Sequence, residues 1–172
     1  MKEMKPIDRE ILFELLKNSH RSDRELAKVL GVSQPTVTRR RTAIEKNLID
    51  GYTVVPRLER IGIELVAFTF VKHNVKYAKP DEREKAYAKV REWMMKQPNV
   101  ILAIEGQGMG FDGIFISFHK NFSDYTDFIK THNSEFSGLL TDSQSFLSSI
   151  NPTTVRKPFH LKYLAGLKES LT

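Results

Sequence analysis

The sequence contains no cysteine. Disulfides, thiolate catalysis, iron–sulfur clusters and cysteine-based zinc sites are therefore excluded. No stretch comes near the ~18 consecutive apolar residues of a membrane span, and Met1–Ser19 is too polar to hold the apolar core of a signal peptide. There is no internal repeat and no low-complexity segment. These absences leave a soluble cytoplasmic protein as the expectation, with no membrane among its partners. What is present is 40% hydrophobic and 28% charged residues, too apolar for a disordered chain. The 172 residues fit one ordinary domain, or a domain of roughly 50 residues joined to one of roughly 100.

Charge is unevenly placed. With 27 Lys+Arg against 21 Asp+Glu the net charge is +6. Residues 1–50 carry 11 basic and 8 acidic side chains, residues 51–155 carry 12 of each, and residues 156–172 carry 4 against 1. A positive excess at both ends of a neutral middle suits a nucleic-acid-reading head on a neutral body.

The first 50 residues read as three helices. Asp8 is a candidate cap for the first, with Ile11, Leu12, Leu15 and Leu16 on one apolar stripe and Asn18-Ser19-His20 as its end. Ser22-Asp23-Arg24-Glu25 has the form of a capping box. The short helix behind it would bury Leu26, Val29 and Leu30, and Gly31 would stop it in a left-handed conformation. Ser33 caps a third helix that tolerates Pro35 in its first turn and buries Val37, Ile44 and Leu48.

After Gly51 the pattern turns to strands. Tyr52–Val55 is β-like and reads as a connecting strand ending at Pro56. The order then runs: strand 65–71, helix from Pro80 to about Gln97, strand 100–105, strand 111–119, a helix capped by Ser123 or Asp124, and strand 139–150. Strand, helix, strand, strand, helix, strand is the ferredoxin-like arrangement, a four-stranded antiparallel sheet with both helices on one face. The fold class is α+β. Its other sheet face is partly apolar and needs a cover, most simply a second subunit. The domain limits are 1–50 for the head, 51–64 for the connection, 65–150 for the sheet domain and 151–172 for a tail.

A helix, a capped short helix, a glycine turn and a capped third helix make a helix-turn-helix, whose third helix enters the DNA major groove. With Val37 set inward, Pro35, Thr38, Arg39, Thr42 and Lys46 fall within roughly 80° of the outward direction. Gln34 and Thr36 flank that face, next to Ser33. Amides read adenine, guanidinium groups read guanine, and Arg and Lys also neutralise phosphate. The candidate DNA-contacting set is therefore Ser33, Gln34, Pro35, Thr36, Thr38, Arg39, Arg40, Thr42 and Lys46. Arg39 takes a base or phosphate role. Arg40 and Arg41 take backbone contacts or pack through their methylene stems.

These residues resemble the leucine-responsive/asparagine-regulator (Lrp/AsnC) family of prokaryotic transcription factors. The resemblance is carried by Asp8, Ile11-Leu12, Leu15-Leu16, Glu25-Leu26-Ala27, Gly31-Val32-Ser33, Val37, Arg39-Arg40 and Ile49-Asp50-Gly51-Tyr52. Residues 65–150 match by element order. The resemblance implies double-stranded DNA as partner at pseudo-palindromic promoter sites. It also implies a homodimer built on the open sheet faces, assembly into tetramers or octamers, and an exchanged connecting strand at Tyr52–Val55. An amino acid or other small effector is implied as well. Amino-acid sensors of the family use a Gly-x-Tyr/Phe-Asp turn; here the turn is Gly110-Phe111-Asp112, without the intervening residue. Two readings stand for it. Gly108, Gly110 and Asp112 bind the effector, through backbone amides and a carboxylate, or the glycines only supply an elongated hairpin turn.

Other constellations point to no chemistry. His119, Asp124 and His132 lack metal-ligand spacing and read as surface or loop residues. Gly106, Gly108 and Gly110 join strand to strand and open no helix, so they form no dinucleotide fingerprint. Trp93, Phe68 and Phe70 are core or interface candidates. In the tail, Leu161, Leu164, Leu167 and Leu171 fall at helical spacing beside Arg156, Lys157, Lys162 and Lys168, which suits packing on a partner subunit or added phosphate contacts. No catalytic residue, metal or cofactor is expected. The competing classes are an enzyme resembling siroheme decarboxylases, which share this architecture, and a scaffold that binds DNA without sequence preference.

Overall fold

The computed structural model describes residues 4–74 and 80–167, apart from the side chains of Pro80 and Arg83. The chain forms two compact units. One comprises the residues up to Val55 together with the segment from Lys157; the other is Pro56–Arg156.

The first unit is built on α1 (Pro6–Lys17), α2 (Asp23–Leu30) and α3 (Gln34–Asn47). Ile11, Leu15, Leu26, Ala27, Val37 and Ile44 form its core. Burying each large aliphatic side chain contributes about 1.5–3 kcal/mol. Helix α1 starts two residues ahead of the expected cap. Pro6 occupies its first turn, where no amide partner is needed, and Asp8 lies inside that turn. Val29 and Leu48 are exposed, not buried as their spacing suggested. Helix α2 is only eight residues long, and Leu48 lies at the C-cap of α3 beyond its last packed turn.

Phe13 and Glu14 of α1 are buried as well. Phe13 lies about 200° around the helix from Ile11, away from the head core. A 3₁₀ segment, Leu161–Leu167, packs against α1 and buries Ala165. The tail therefore packs on its own chain. Lys157 Nζ stands 4.2 Å above the Tyr163 ring, which engages one of the tail's cations. Lys168 and Leu171 lie outside the described residues.

Tyr52–Val55 forms no strand with any described residue. The connection continues through a 3₁₀ turn at Leu58–Ile61, closed by Gly62 at φ 79°.

The second unit is the expected split arrangement. Strands β1 (Leu65–His73), β2 (Val100–Gly108), β3 (Phe111–His119) and β4 (Leu140–Ser149) make one antiparallel sheet in the order β2-β3-β1-β4. Helices α4 (Pro80–Met95) and α5 (Phe122–Glu135) connect them. The cap of α5 is Asn121, not Ser123 or Asp124; its Oδ1 accepts from the Asp124 amide at 3.0 Å.

Alternation sorts the strand residues. Ala67, Thr69, Val71, Phe115, Ser117 and His119 are buried on the helix side. There Trp93 packs on Phe128, His132 and Phe136 with ring centroids 5.4–5.7 Å apart. His119 and His132 belong to this core, each 1% exposed, contrary to their expected surface placement. Their rings pack on Phe128 and Phe115 respectively, so an imidazole takes the place of an aromatic side chain. His119 Nε2 lies 2.8 Å from Ser117 Oγ, and His132 Nδ1 lies 2.9 Å from Asn133 Oδ1. Among the described residues no cluster of three metal-ligating side chains occurs, and no helix is long and apolar enough to cross a membrane.

Burial pushes both imidazoles below their ordinary value; Asp124 opposes this at His119 and Asn133 at His132. The unfolded chain therefore takes up protons first as pH falls. Stability is intact above about pH 6.5, the unperturbed imidazole value, and is lost as pH drops through it toward the folded values. Thermal midpoints followed by near-ultraviolet circular dichroism should fall between pH 7.5 and 5. His132→Gln should flatten that dependence; an unchanged slope would remove His132 as its cause.

Candidate nucleic-acid interface

Local sequence places α3. The Ser22 amide donates to Glu25 Oε2 at 2.7 Å while the Glu25 amide donates to Ser22 Oγ at 3.3 Å, so the capping box closes as read. The hydrogen bonds from Ser22 hold the Glu25 carboxyl below its usual range. Gly31 stops α2 at φ 66°, where a side chain would be strained. Ser33 Oγ accepts from the Thr36 amide at 3.4 Å and opens α3.

A polar network then fixes the angle between α2 and α3. Asp23, the first residue of α2, meets α3 with both carboxylate oxygens: Arg41 Nη1 lies 3.2 Å from Oδ1, and Thr38 Oγ1 donates to Oδ2 at 2.6 Å. Arg41 also donates to the Arg21 carbonyl at 3.0 Å and to Glu45 Oε1 at 2.9 Å. Tyr52 donates to the same Glu45 oxygen at 2.8 Å, which ties the exit of the head to α3. Burial alone would lower the Arg41 pKa; its bonds to Glu45, Tyr52 and Asp23 outweigh that and hold it above the usual guanidinium value. Arg41, followed by Tyr52, keeps Glu45 ionised below the ordinary carboxyl range. Arg41 is thus a structural fork, committed on every side.

Arg40 is also turned inward. Its Nε lies 3.7 Å from Asp8 Oδ1, and both atoms are buried. The rest of the α3 face is as the spacing implied. Gln34, Pro35, Thr38, Arg39, Thr42 and Lys46 are exposed, along with Ser33, whereas Thr36 is half-buried. Ser33 and Thr36 spend their hydroxyls on each other at 2.8 Å. Gln34, Arg39 and Lys46 form no side-chain hydrogen bond or ion pair with any described residue. Sequence reasoning passed over Asp23 and Tyr52. The i,i+4 spacing of Arg41 and Glu45 was the one visible signal of their network.

The β2–β3 turn is a two-residue hairpin. Met109 and Gly110 sit at φ 52° and 81°, and Gly108 pairs with Phe111 to close it. Positive φ at both central positions is the type I′ form that matches strand twist. Asp112 Oδ2 accepts from the His73 amide at 2.8 Å, which pins β3 to the end of β1. Beside the turn lies a shallow recess of about 140 Å³, walled by Phe70, Ile104, Met109, Phe111 and Ile114.

A capped helix-turn-helix with an unpaired polar face, in a chain that also carries a ferredoxin-like sheet domain, defines a helix-turn-helix transcriptional regulator. The model of the AsnC-type helix-turn-helix domain matches residues 4–45. An uncharacterized helix-turn-helix-type transcriptional regulator of Pyrococcus horikoshii is 33% identical over 129 residues, 74% of this chain and 80% of that protein. The regulator LrpA of Pyrococcus abyssi is 33% identical over 100 residues, 56% of this chain and 71% of that one. Among solved structures, Escherichia coli AsnC superposes with a TM-score of 0.69 at 17% identity, covering 91% of this chain and 98% of its own. A Neisseria meningitidis transcriptional regulator solved in complex with L-Met gives 0.71 at 23% identity, over 91% and 97%. The chain belongs to the Lrp/AsnC family of transcriptional regulators. Its relatives are regulators, not enzymes, which sets aside the decarboxylase-like alternative.

Two arginines two residues apart should separate in experiment. Arg41→Met leaves Asp23 and the Arg21 carbonyl without their partner and should cost about 1–3 kcal/mol in urea unfolding. Arg39→Ala should fall within about 0.5 kcal/mol of the parent. Equal losses would contradict the division between structural and free arginines.

Proposed function

We propose that this regulator binds pseudo-palindromic promoter DNA as a homodimer, with α3 in the major groove. The observation that carries the reading is the exposed face of α3. Gln34, Arg39 and Lys46 are held out by the capped head and spend no side-chain hydrogen bond on any described residue. In the groove, Gln34 and Arg39 reach base edges near the start of the helix, and Lys46 meets phosphate. Ser33 adds a cap rather than a reading group. Arg40, paired with Asp8, favours the packing alternative over the backbone contact.

The sheet supports the dimer reading. Val66, Phe68, Phe70, Ile114, Ile116 and Phe146 share the face without helices, where Phe68 and Phe146 stand directly opposite each other with rings 6.2 Å apart. Phe146 is 64% exposed. An exposed apolar sheet face of this kind marks an interaction site, here for a second copy of the chain, and helix-turn-helix dimers read half-sites about one DNA turn, ~34 Å, apart. Further assembly to tetramers or octamers, and exchange of the unpaired Tyr52–Val55 segment between subunits, extend the same reading.

Binding to an operator should weaken steeply with salt in gel-shift titrations. Arg39→Ala should cost about 1–3 kcal/mol of that affinity. Phe146→Glu, remote from α3, should sediment as a monomer and lose the tight two-fold complex. Retention of full affinity by Arg39→Ala would remove the recognition-helix assignment.

The recess beside Gly108 and Gly110 suits a small effector with an apolar side chain, and the regulator solved with L-Met supports an amino acid. One Asp112 oxygen is engaged by His73, which leaves the other for an ammonium group. Millimolar L-methionine should raise the melting temperature and L-glutamate should not, as expected for a ligand held by the folded state. No shift with any amino acid would favour the plain-turn reading.

A further inference from the structure

Two of the exposed side chains on α3 have already spent their hydroxyl protons. A threonine hydroxyl has a single proton to donate. Thr38 directs it to Asp23 Oδ2 at 2.6 Å, with the Gln34 carbonyl a further 3.1 Å acceptor. Thr42 directs its own to the Thr38 carbonyl at 3.0 Å. The Asp23 carboxylate is fixed in turn by Arg41, so freeing Thr38 would break a charge-assisted bond inside a closed network. Both residues are exposed, and they lie one turn apart on the outward face. With its proton committed, each side chain keeps for an outside contact its γ-methyl group and a hydroxyl oxygen that can only accept.

Four bases present many polar groups in the major groove but only one apolar group, the C5-methyl of thymine. We infer that Thr38 and Thr42 are specificity-determining residues that read thymine by methyl–methyl contact, while Gln34 and Arg39 supply the polar contacts. Asp23 is then a positioning residue. It holds the Thr38 hydroxyl away from the groove and so selects which end of that side chain faces DNA. Cytosine offers no methyl at those positions, so it lacks the contact that thymine makes there. This deepens the DNA-reading proposal and rests on it.

The test uses the full chain and duplexes enriched by it from a randomised pool. Each thymine of the enriched site is replaced in turn by deoxyuridine, which removes the methyl and nothing else, and affinity is read by gel shift at fixed salt. At least one thymine per half-site should show about a fourfold loss, the equivalent of ~0.8 kcal/mol for one apolar carbon. Thr42→Ser, which keeps the oxygen, should bind the thymine duplex about fourfold more weakly and no longer distinguish thymine from deoxyuridine at its position. Thr42→Val, which keeps the methyl, should bind like the parent. Circular dichroism of both variants confirms the fold. Equal affinity for thymine and deoxyuridine throughout, or a tight Thr42→Ser with a weakened Thr42→Val, would overturn methyl reading and leave DNA binding standing. Failure of the parent chain to retain any duplex at low salt would instead bring down the DNA-reading proposal itself, and this inference with it.

Discussion

One carboxylate, that of Asp23, holds the reading head in order. Its two oxygens meet Arg41 and Thr38, so the first residue of α2 is joined to the middle of α3. Because Arg41 also binds the Arg21 carbonyl and Glu45, and Glu45 binds Tyr52, the turn, α3 and the exit of the head share one network. The cost of partly burying these charges is met by hydrogen bonds on both partners. The apolar core beneath brings the three helices together; the network ties α2, α3 and the exit of the head to one another.

That network divides the three consecutive arginines by role. Arg41 is spent inside the head, Arg40 is drawn toward Asp8, and Arg39 alone projects freely. Successive helical residues point 100° apart, so a run of like charges on a helix cannot act as one patch. Arg41 thus serves internal order and Arg40 ion pairing, while Arg39 stays on the surface for the recognition proposed above.

The second unit shows a comparable division between the faces of one sheet. Helices and an aromatic–imidazole layer close one side, with Trp93, Phe115, His132 and Phe136 in contact and His119 joined to them through Phe128. The other side keeps Phe68, Phe70 and Phe146 without helices above them. Burial in the closed layer disfavours the charged form of both imidazoles there.

Alternation, turns and the caps of α2 and α3 are local, and they were legible; the caps of α1 and α5 were misplaced by two or three residues. Ser22–Glu25, Gly31, Ser33 and the strand order all follow from interactions within a few residues or from a period of two. The outward set on α3 was legible for the same reason, since helical spacing alone decides it. Long-range pairings were not. Nothing in the local pattern ties Asp23 to Thr38 across 15 positions, sends the tail from Lys157 back onto α1, or buries His119 and His132. Periodicity tells which residues share a face, but only the assembled chain decides what that face meets, because a contact between distant segments depends on packing shape and on which polar groups remain unpaired.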